Sequence, residues 1–282
     1  MKPPITGRTR VAAVVGRPVV HSLSPLIHNA WLAGAGIDGA YVALEVDEAG
    51  FRSFLEGIRA TSLTGLNVTV PFKEQALAAA QDASARARRA GAANVLVFSE
   101  SGTIRADNTD GLGMIEAFAD QAPGCDLASG PVVVLGAGGA ARGAVGALID
   151  AGCADIRVVN RTYGKAEALT RELAGRPFAV GDAAAAFEGA AAVINATSAG
   201  LADGDKPGWP LASTPADCVI MDMVYKPLIT PFLAEAQAMG RRTVDGLAML
   251  IGQAKPSFEA FFGQRPPADV DVRKLCLEAL GQ

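Results

Sequence analysis

Three polar clusters in the first part of the chain carry side chains that could bind and transform a small hydroxylated molecule. They occupy residues 16–25 with His28 and Asn29 just beyond, residues 67–74, and residues 107–111. Together they supply hydroxyls, amides, an amine and a carboxylate. Each cluster lies at or just beyond the end of a predicted strand, which is where open α/β sheets bind their ligands. We therefore expect a hydrogen-bonding site for a small polyhydroxylated substrate.

Lys73 and Asp110 are charged side chains of these clusters that have both a functional and a structural interpretation. Lys73 lies at the start of a predicted helix, where the helix dipole disfavours a cation, so its position needs a reason. A site with tuned proton affinity is one such reason, because nearby positive potential lowers the pKa of a lysine. The alternatives are a solvated lysine and an aspartate that only caps a helix. Ser24, which precedes Pro25, could likewise serve only as a helix cap.

A glycine-rich turn in the second half of the chain predicts a dinucleotide site. Residues 132–141 read VVVLGAGGAA, a buried strand that leads through G-x-G-x-x-A into a helix. The first glycine permits the tight turn, the second lets the backbone approach a pyrophosphate, and Ala141 lets the helix pack closely on the sheet. The alternative is an ordinary strand-to-helix turn. The predicted cofactor contacts here are Gly136, Gly138, Gly139 and Ala140.

The segment after the next predicted strand, residues 156–159, indicates which dinucleotide binds. An acidic residue about twenty positions after the glycines would bind the ribose 2′-hydroxyl of NAD, but Arg161 and Lys165 occupy this region instead. A charge-assisted hydrogen bond of roughly 1.5–3 kcal/mol to a 2′-phosphate favours NADP by about ten- to a hundredfold. We therefore predict NADP(H) as cofactor. The alternative is a solvated basic edge.

Composition limits the remaining classes of function. The chain has 282 residues, enough for two domains, and a net charge of −4 without a basic block, which argues against nucleic acid and anionic membranes. The 4 cysteines are scattered and no signal-peptide-like segment begins the sequence, so we expect a cytoplasmic protein with reduced thiols, which we take to be a monomer or homodimer. We interpret His21 and His28 as structural and predict no metal site, because neither has carboxylates or cysteines at ligand spacing.

The order of predicted strands and helices indicates the architecture that positions these clusters. Strands alternate with helices, which predicts an α/β fold of two domains: an N-terminal mixed or parallel α/β domain and a doubly wound Rossmann-type domain. The first set of predicted strands covers residues 11–15, 41–44, 66–70 and 94–97. The second covers residues 132–135, 156–159, 178–180, 192–194, 219–221 and 242–244. Residues 121–131 connect the two sets, after a helix that begins near Asp110.

Nearly the whole chain resembles the shikimate dehydrogenase family, from HSLSP at residues 21–25 to DGLAML at residues 245–250 with Gln253. The further shared motifs are residues 136–141 (GAGGAA), 160–162 (NRT), 195–200 (NATSAG), 222–225 (DMVY) and 230–233 (TPFL). The resemblance implies NADP-dependent interconversion of 3-dehydroshikimate and shikimate, a step of aromatic biosynthesis. It also implies a substrate domain at residues 1–112, completed by C-terminal helices at 247–282, and an NADP domain at 113–246.

The resemblance implies a role for individual residues. Lys73 and Asp110 match the catalytic pair. The substrate carboxylate and hydroxyls would be bound by Ser22, Ser24, Asn67, Thr69, Asn94, Tyr225 and Gln253. Asn160, Arg161, Thr162 and Lys165 match the positions that bind the adenosine phosphate, and Thr197, Met223 and Gly246 match positions near the nicotinamide.

Two residues depart from the family pattern. Val95 stands where the family usually has threonine after the asparagine, and we expect its side chain to serve strand packing. Lys165 replaces a frequent arginine, which keeps the charge but loses bidentate geometry. Two other functions stay open at this point: a relative that acts on quinate or an aminated analogue, and a regulator that binds NADPH without catalysis. Because both Lys73 and Asp110 are retained, the sequence favours the enzyme.

Overall fold

Strands and helices alternate along the chain in the computed structural model, which describes residues 4–197 and 208–282. The strands are β1 (Arg10–Gly16), β2 (Gly39–Glu45), β3 (Leu63–Val68), β4 (Asp82–Ala83), β5 (Val95–Phe98), β6 (Ile104–Asp107), β7 (Val132–Leu135), β8 (Ile156–Asn160), β9 (Arg176–Ala179), β10 (Ala192–Asn195), β11 (Val219–Asp222) and β12 (Arg242–Val244). The helices are α1 (Ser24–Gly34), α2 (Phe51–Ile58), α3 (Lys73–Ala79), α4 (Ala85–Ala90), α5 (Asp110–Gln121), α6 (Gly139–Asp150), α7 (Tyr163–Glu172), α8 (Ala183–Phe187), α9 (Pro231–Ala238), α10 (Gly246–Phe262) and α11 (Val272–Leu280).

The first of two compact units is formed by the chain up to residue 109 together with residues 253–282. Its described residues form a 6-stranded mixed sheet with the order β2-β1-β3-β5-β6-β4. β1 pairs in parallel with β2 and β3, whereas β5 runs antiparallel to β3 and β6. Because β1 and β3 are parallel neighbours, the polar segments that follow them leave the same edge of the sheet.

The second unit comprises residues 110–252. Its described part contains a 6-stranded sheet with the order β12-β11-β10-β7-β8-β9, and all its strands run parallel. This is the strand order of the Rossmann fold, with the topological switch between β7 and β10. The glycine-rich turn directly follows β7 and therefore lies at the switch point, where such sheets bind dinucleotides.

The centre of the second sheet is buried on both faces, as its apolar sequence predicts. All four residues of β7 have no exposed surface. Val132 and Val134 pack with α5 and α6 residues, whereas Val133 and Leu135 pack on the opposite face with α8 and α9 residues. A strand covered on both faces by helices reads as an uninterrupted hydrophobic run rather than an alternating one.

The predicted α/β class with a doubly wound second sheet is confirmed, but local expectations need correction. The sequence patterns do not predict β4 and β6, and β3 begins earlier and ends earlier than residues 66–70. Ser24 begins α1 without capping it, because Leu23 occupies the N-cap position and no side-chain cap bond forms there. Within the described residues, no helix has the length and apolar character needed to cross a membrane.

Candidate active site

The polar residues of the first unit are brought together at the edge where β1 and β3 end. The backbone N–H of Arg17 donates to the carbonyl of Val70 at 3.0 Å, and that of Thr69 donates to Val15 at 2.9 Å. Close contact requires a glycine at the end of β1, because a Cβ on Gly16 would lie 2.3 Å from Cγ2 of Thr69. The segment carrying the predicted serines therefore runs beside the segment carrying Thr69.

The two predicted serines lie at the start of α1. Ser24 is buried and Ser22 is half-buried. The N–H of Ser24 donates to Oγ of Ser22 at 3.3 Å, so the two residues form one compact polar turn. Hydroxyls in such a turn suit an anionic oxygen, since each can donate a hydrogen bond to it.

Asn67, at the end of β3, is buried in a hydrogen-bond network. Its Oδ1 accepts from the phenol of Tyr41 at 2.7 Å. Its Nδ2 donates to the carbonyl of Asn94 at 3.1 Å and to Oγ of Ser257 at 3.0 Å. The predicted site asparagines are thus in direct contact, and α10 contributes Ser257 to the same network.

Asn94, just before β5, joins Gln253 of α10 to the residue that precedes Asp110. Its Nδ2 donates to Oε1 of Gln253 at 3.2 Å and to Oγ1 of Thr109 at 3.0 Å. Its Oδ1 accepts from the N–H of Thr109 at 2.8 Å, and the Thr109 hydroxyl donates to the carbonyl of Gln253 at 3.0 Å. These buried bonds fix both amide side chains in one orientation.

Lys73 and Asp110 both begin helices, as predicted. Lys73 is half-buried at the start of α3, and its carbonyl accepts from the N–H of Ala93 at 2.8 Å, next to Asn94. Asp110 is half-buried at the start of α5 and directly follows the buried Thr109. Val95 is buried in β5, as we expected for a strand-packing residue.

The glycine-rich turn of the second unit has the geometry of a pyrophosphate cradle. Gly136 adopts a φ of +105°, a conformation that side chains rarely allow, and its N–H donates to the carbonyl of Val159 at 2.8 Å. A Cβ on Gly138 or Gly139 would meet no described atom within 4 Å. The protein's own packing therefore does not demand glycine at these two positions, whereas a ligand that approaches the backbone does. Ala140 is exposed on the first turn of α6.

The predicted phosphate-binding residues lie around the start of α7. Asn160 donates from Nδ2 to the carbonyl of Thr162 at 2.9 Å, which closes the turn between β8 and the helix. Arg161 and Lys165 are exposed, and neither forms a salt bridge within the described part of the chain. Two exposed cations at a helix N-terminus suit a phosphate group.

A buried carboxylate organises the positions matched to the nicotinamide. Asp222 accepts from the Thr230 hydroxyl at 2.7 Å, from the N–H of Val224 at 3.0 Å and from Nδ2 of Asn195 at 3.2 Å. Asn195 in turn accepts from the Thr197 hydroxyl at 2.7 Å. Burial raises the pKa of the Asp222 carboxyl. The sequence did not reveal this role, although Asp222 lies in the DMVY motif of residues 222–225.

The remaining residues that match family positions lie in the second unit. Met223 and Tyr225 are half-buried in the segment after β11, and Gly246 begins α10, all three within the second unit. Tyr225 is thus the predicted substrate residue that belongs to the second unit. Residues 198–200 of the predicted NATSAG motif lie outside the described residues.

Three contributors to the first-unit network had no individual role assigned from the sequence: Tyr41, Ser257 and Thr109, the last of which lies in the predicted cluster of residues 107–111. Ser257 follows Gln253 by four positions on α10, so helical spacing alone puts the two on one face. Tyr41 stacks on the buried ring of His28 with centroids 4.1 Å apart. We interpreted His28 as a structural histidine; it is buried, but neither of its ring nitrogens hydrogen-bonds to a described residue, and burial lowers its pKa to about 3.

Comparisons with known proteins agree across the chain. The family model "Shikimate dehydrogenase substrate binding domain" matches residues 14–96, and "Shikimate / quinate 5-dehydrogenase" matches residues 118–202. A Caulobacter vibrioides protein named shikimate dehydrogenase (NADP(+)) is 54% identical over 280 residues, which cover 99% of this chain and 98% of that protein. A Rhodospirillum rubrum protein of the same name is 44% identical over 279 residues, which cover 97% and 99%.

Solved structures show the same likeness. A crystal structure of shikimate 5-dehydrogenase from Thermus thermophilus, described as a complex with NADP(H) and shikimate, has a TM-score of 0.85 and 35% identity to this chain. The match covers 96% of this chain and 99% of that one. The similarity therefore extends over both units.

Proposed function

The chain belongs to the shikimate dehydrogenase family, and from that premise we propose that Lys73 and Asp110 form the catalytic pair of its reaction. The protein is an NADP-dependent oxidoreductase that interconverts 3-dehydroshikimate and shikimate, a step of the shikimate pathway. The observation that supports the site assignment is the buried network through Asn67, Asn94 and Gln253, which lies beside the backbone of Lys73.

We assign the substrate to the first unit and the cofactor to the second. The first unit contributes two serines, three amides and a lysine, groups that complement a carboxylate and hydroxyls. The second contributes an open glycine turn and two exposed cations, which complement a pyrophosphate and a 2′-phosphate. On this assignment Gly136, Gly138, Gly139 and Ala140 lie against the pyrophosphate, and Asn160, Arg161, Thr162 and Lys165 hold the adenosine phosphate.

Within the substrate site, we assign Ser22, Ser24 and Thr69 to the carboxylate end and the amides to the ring hydroxyls. The serines support this assignment because their hydroxyls share one turn at the start of α1. Asn67, Asn94 and Gln253 hold fixed amide orientations, which allows them to distinguish donors from acceptors. Tyr225 completes the proposed set.

Proton transfer is the step that this chain's own residues must carry out. When bound, NADPH supplies the hydride that reduces the ketone carbon. Negative charge then builds on the ketone oxygen, and a donor within hydrogen-bond reach must supply a proton as the alcohol forms. We assign that donor to the Lys73 ammonium, with Asp110 orienting the amine or holding a neighbouring hydroxyl. In the oxidation direction Lys73 accepts the same proton.

Thr197, Met223 and Gly246 are proposed to border the nicotinamide. The buried network around Asp222 supports this assignment, because it fixes the backbone on both sides of Met223 and the hydroxyl of Thr197.

All four cysteines of the chain are free thiols. This agrees with a reducing compartment, and we propose a cytoplasmic monomer or homodimer.

An absorbance assay at the nicotinamide band tests the proposal. Purified protein is supplied with shikimate or quinate and with NADP or NAD. The expected result is fast NADP reduction with shikimate and much slower reduction with the other three combinations. Faster turnover of quinate would favour the quinate-specific relative. Tight NADPH binding without any shikimate-dependent reduction would contradict the enzyme and favour a regulator.

A further inference from the structure

Two backbone carbonyls determine which end of the Asn67 amide faces which neighbour. The carbonyl oxygen of Asn94 only accepts hydrogen bonds, so the group 3.1 Å from it must be Nδ2 of Asn67. Ser257 donates its hydroxyl hydrogen to the carbonyl of Gln253 at 3.1 Å. Towards Asn67, 3.0 Å away, the Ser257 oxygen therefore accepts. Both hydrogens of Nδ2 are thus used within the protein.

The opposite end of the amide has one partner. Oδ1 of Asn67 accepts from the Tyr41 phenol at 2.7 Å. Burial raises the pKa of Tyr41 well above its usual value, so the phenol keeps its proton and acts as a donor. A carbonyl oxygen has two lone pairs, and Tyr41 uses one. Asn67 can therefore offer a bound molecule one acceptor position and no donor.

We propose that Tyr41 and Ser257 are positioning residues that make Asn67 a hydrogen-bond acceptor only, and so select a substrate hydroxyl over a carbonyl or ether oxygen at that point. This inference rests on the proposed function, in which Asn67 contacts shikimate. A hydroxyl donates to Oδ1, whereas an oxygen without hydrogen meets a second acceptor and loses its bond to water. The Asn67 amide cannot rotate by 180° to accommodate such an oxygen. After the rotation Oδ1 would face the Asn94 carbonyl and the Ser257 oxygen, which are both acceptors.

The surroundings of Tyr41 allow a clean test. Its ring stacks on His28 at an interplanar angle of 7° and lies near Phe261, so these contacts hold the ring without the hydroxyl. Tyr41→Phe therefore removes the bond to Asn67 while the packing stays. Ser257→Ala removes the second contact in the same way. Trp31→Phe is the matched control, since Trp31 packs on His28 and Phe258 but makes no bond to Asn67.

The experiment compares shikimate with derivatives in which one non-reacting hydroxyl is replaced by hydrogen or by methoxy. The readout is the ratio of kcat/KM for shikimate to that for each derivative. In the unaltered enzyme we expect a ratio of about ten- to a hundredfold at one ring position, the effect of leaving one buried acceptor without its partner. Tyr41→Phe and Ser257→Ala should each lower that ratio about tenfold, through KM more than kcat. Trp31→Phe should leave it unchanged.

Unchanged ratios in both folded variants would overturn the inference. So would equal turnover of shikimate and every derivative by the unaltered enzyme, a result that leaves the shikimate activity itself standing. Failure to oxidise shikimate at all would instead refute the proposed function. An NMR measurement covers variants that do not fold: in the unaltered protein both Nδ2 protons of Asn67 should exchange slowly with water. Fast exchange of either proton would contradict the proposed bonds.

Discussion

A Cβ atom on Gly246 would lie 2.5 Å from the carbonyl oxygen of Met223, closer than real side chains approach a backbone oxygen. The same atom would lie 2.6 Å from the carbonyl oxygen of Val224. Glycine at the start of α10 therefore allows the helix to begin directly against the segment that follows β11. Gly246 and Met223 are both proposed to border the nicotinamide. A change in the packing between them should therefore also change cofactor binding.

Gly246→Ala is expected to force the segment at Met223 to move. Overpacking of this kind costs about 1–3 kcal/mol of unfolding free energy, and the KM for NADP should rise several-fold while the KM for shikimate changes less. Urea unfolding and initial rates measure the two effects. Gly57→Ala, in α2 with no described atom within 4 Å of its Cβ, is the control and should not destabilise the protein. An unchanged KM for NADP would contradict the assigned role.

Lys73→Ala should lower kcat by about a hundred- to ten-thousandfold, the range expected when a proton donor is lost. Circular dichroism and thermal unfolding should show that the fold is kept, because Lys73 lies outside the buried core and alanine favours the helix that begins there. Lys274→Ala removes an exposed lysine from α11 of the same unit and should keep full activity. Undiminished turnover by Lys73→Ala would refute the assignment.

Arg161→Ala should raise the KM for NADP about ten- to a hundredfold, because it removes one charge-assisted hydrogen bond to a phosphate. Rates with NAD should stay the same, since that cofactor has no 2′-phosphate to lose. The comparison needs Arg171→Ala, which removes an exposed cation from the far end of α7, where it pairs with Glu167 at 3.4 Å. Equal losses with NADP and NAD would indicate a general effect on the fold rather than phosphate recognition.

The central strands of the second sheet, β7, β10 and β11, were predictable because each is buried along its whole length and begins as an apolar run. The first sheet was harder. β6 has a buried Ile104 and Ala106 on either side of an exposed Arg105. This pattern is too short to identify a strand without knowledge of its antiparallel pairing with β5. β4 has 2 residues, too few for any periodicity to show.

The candidate site divides in a similar way. Asn67, Asn94 and Gln253 belong to recognisable motifs, whereas the contacts between them cross the fold. Ser257 meets Asn67 over a separation of 190 residues, and no local pattern in the sequence encodes that pair. The role of Tyr41 likewise depends on register, because its strand position reveals burial but not the neighbour opposite its hydroxyl.

Asp222→Asn should weaken cofactor binding without direct contact. The new amide would bring a donor against Nδ2 of Asn195, which now donates to the carboxylate at 3.2 Å. We expect a loss of about 1–3 kcal/mol in unfolding free energy and a several-fold rise in the KM for NADP, with the KM for shikimate little changed. Asp217→Asn, at an exposed position of the same unit, is the control. Equal rises in both KM values would contradict a positioning role for Asp222.

His28 should make the stability of the first unit depend on pH. Burial lowers its pKa from 6.5 to about 3, so between these values the unfolded chain binds a proton that the folded chain does not. The free energy of unfolding is therefore not reduced by His28 above pH 6.5. It falls as the pH drops towards 3, by up to about 1.4 kcal/mol per pH unit. His28→Phe keeps an aromatic ring against Tyr41 but cannot take up a proton.

The measurement is urea unfolding at several pH values, followed by Trp31 fluorescence in a Trp209→Phe background. Trp31 lies 5.7 Å from the His28 ring and so reports on this part of the first unit. The unfolding free energy of the His28 protein should fall relative to that of His28→Phe as the pH decreases below 6.5, and exposed His21→Gln is the control. If the unfolding free energies of the His28 protein and His28→Phe changed in parallel with pH, the His28 ring would bind a proton equally well in the folded and unfolded states, which would contradict the prediction.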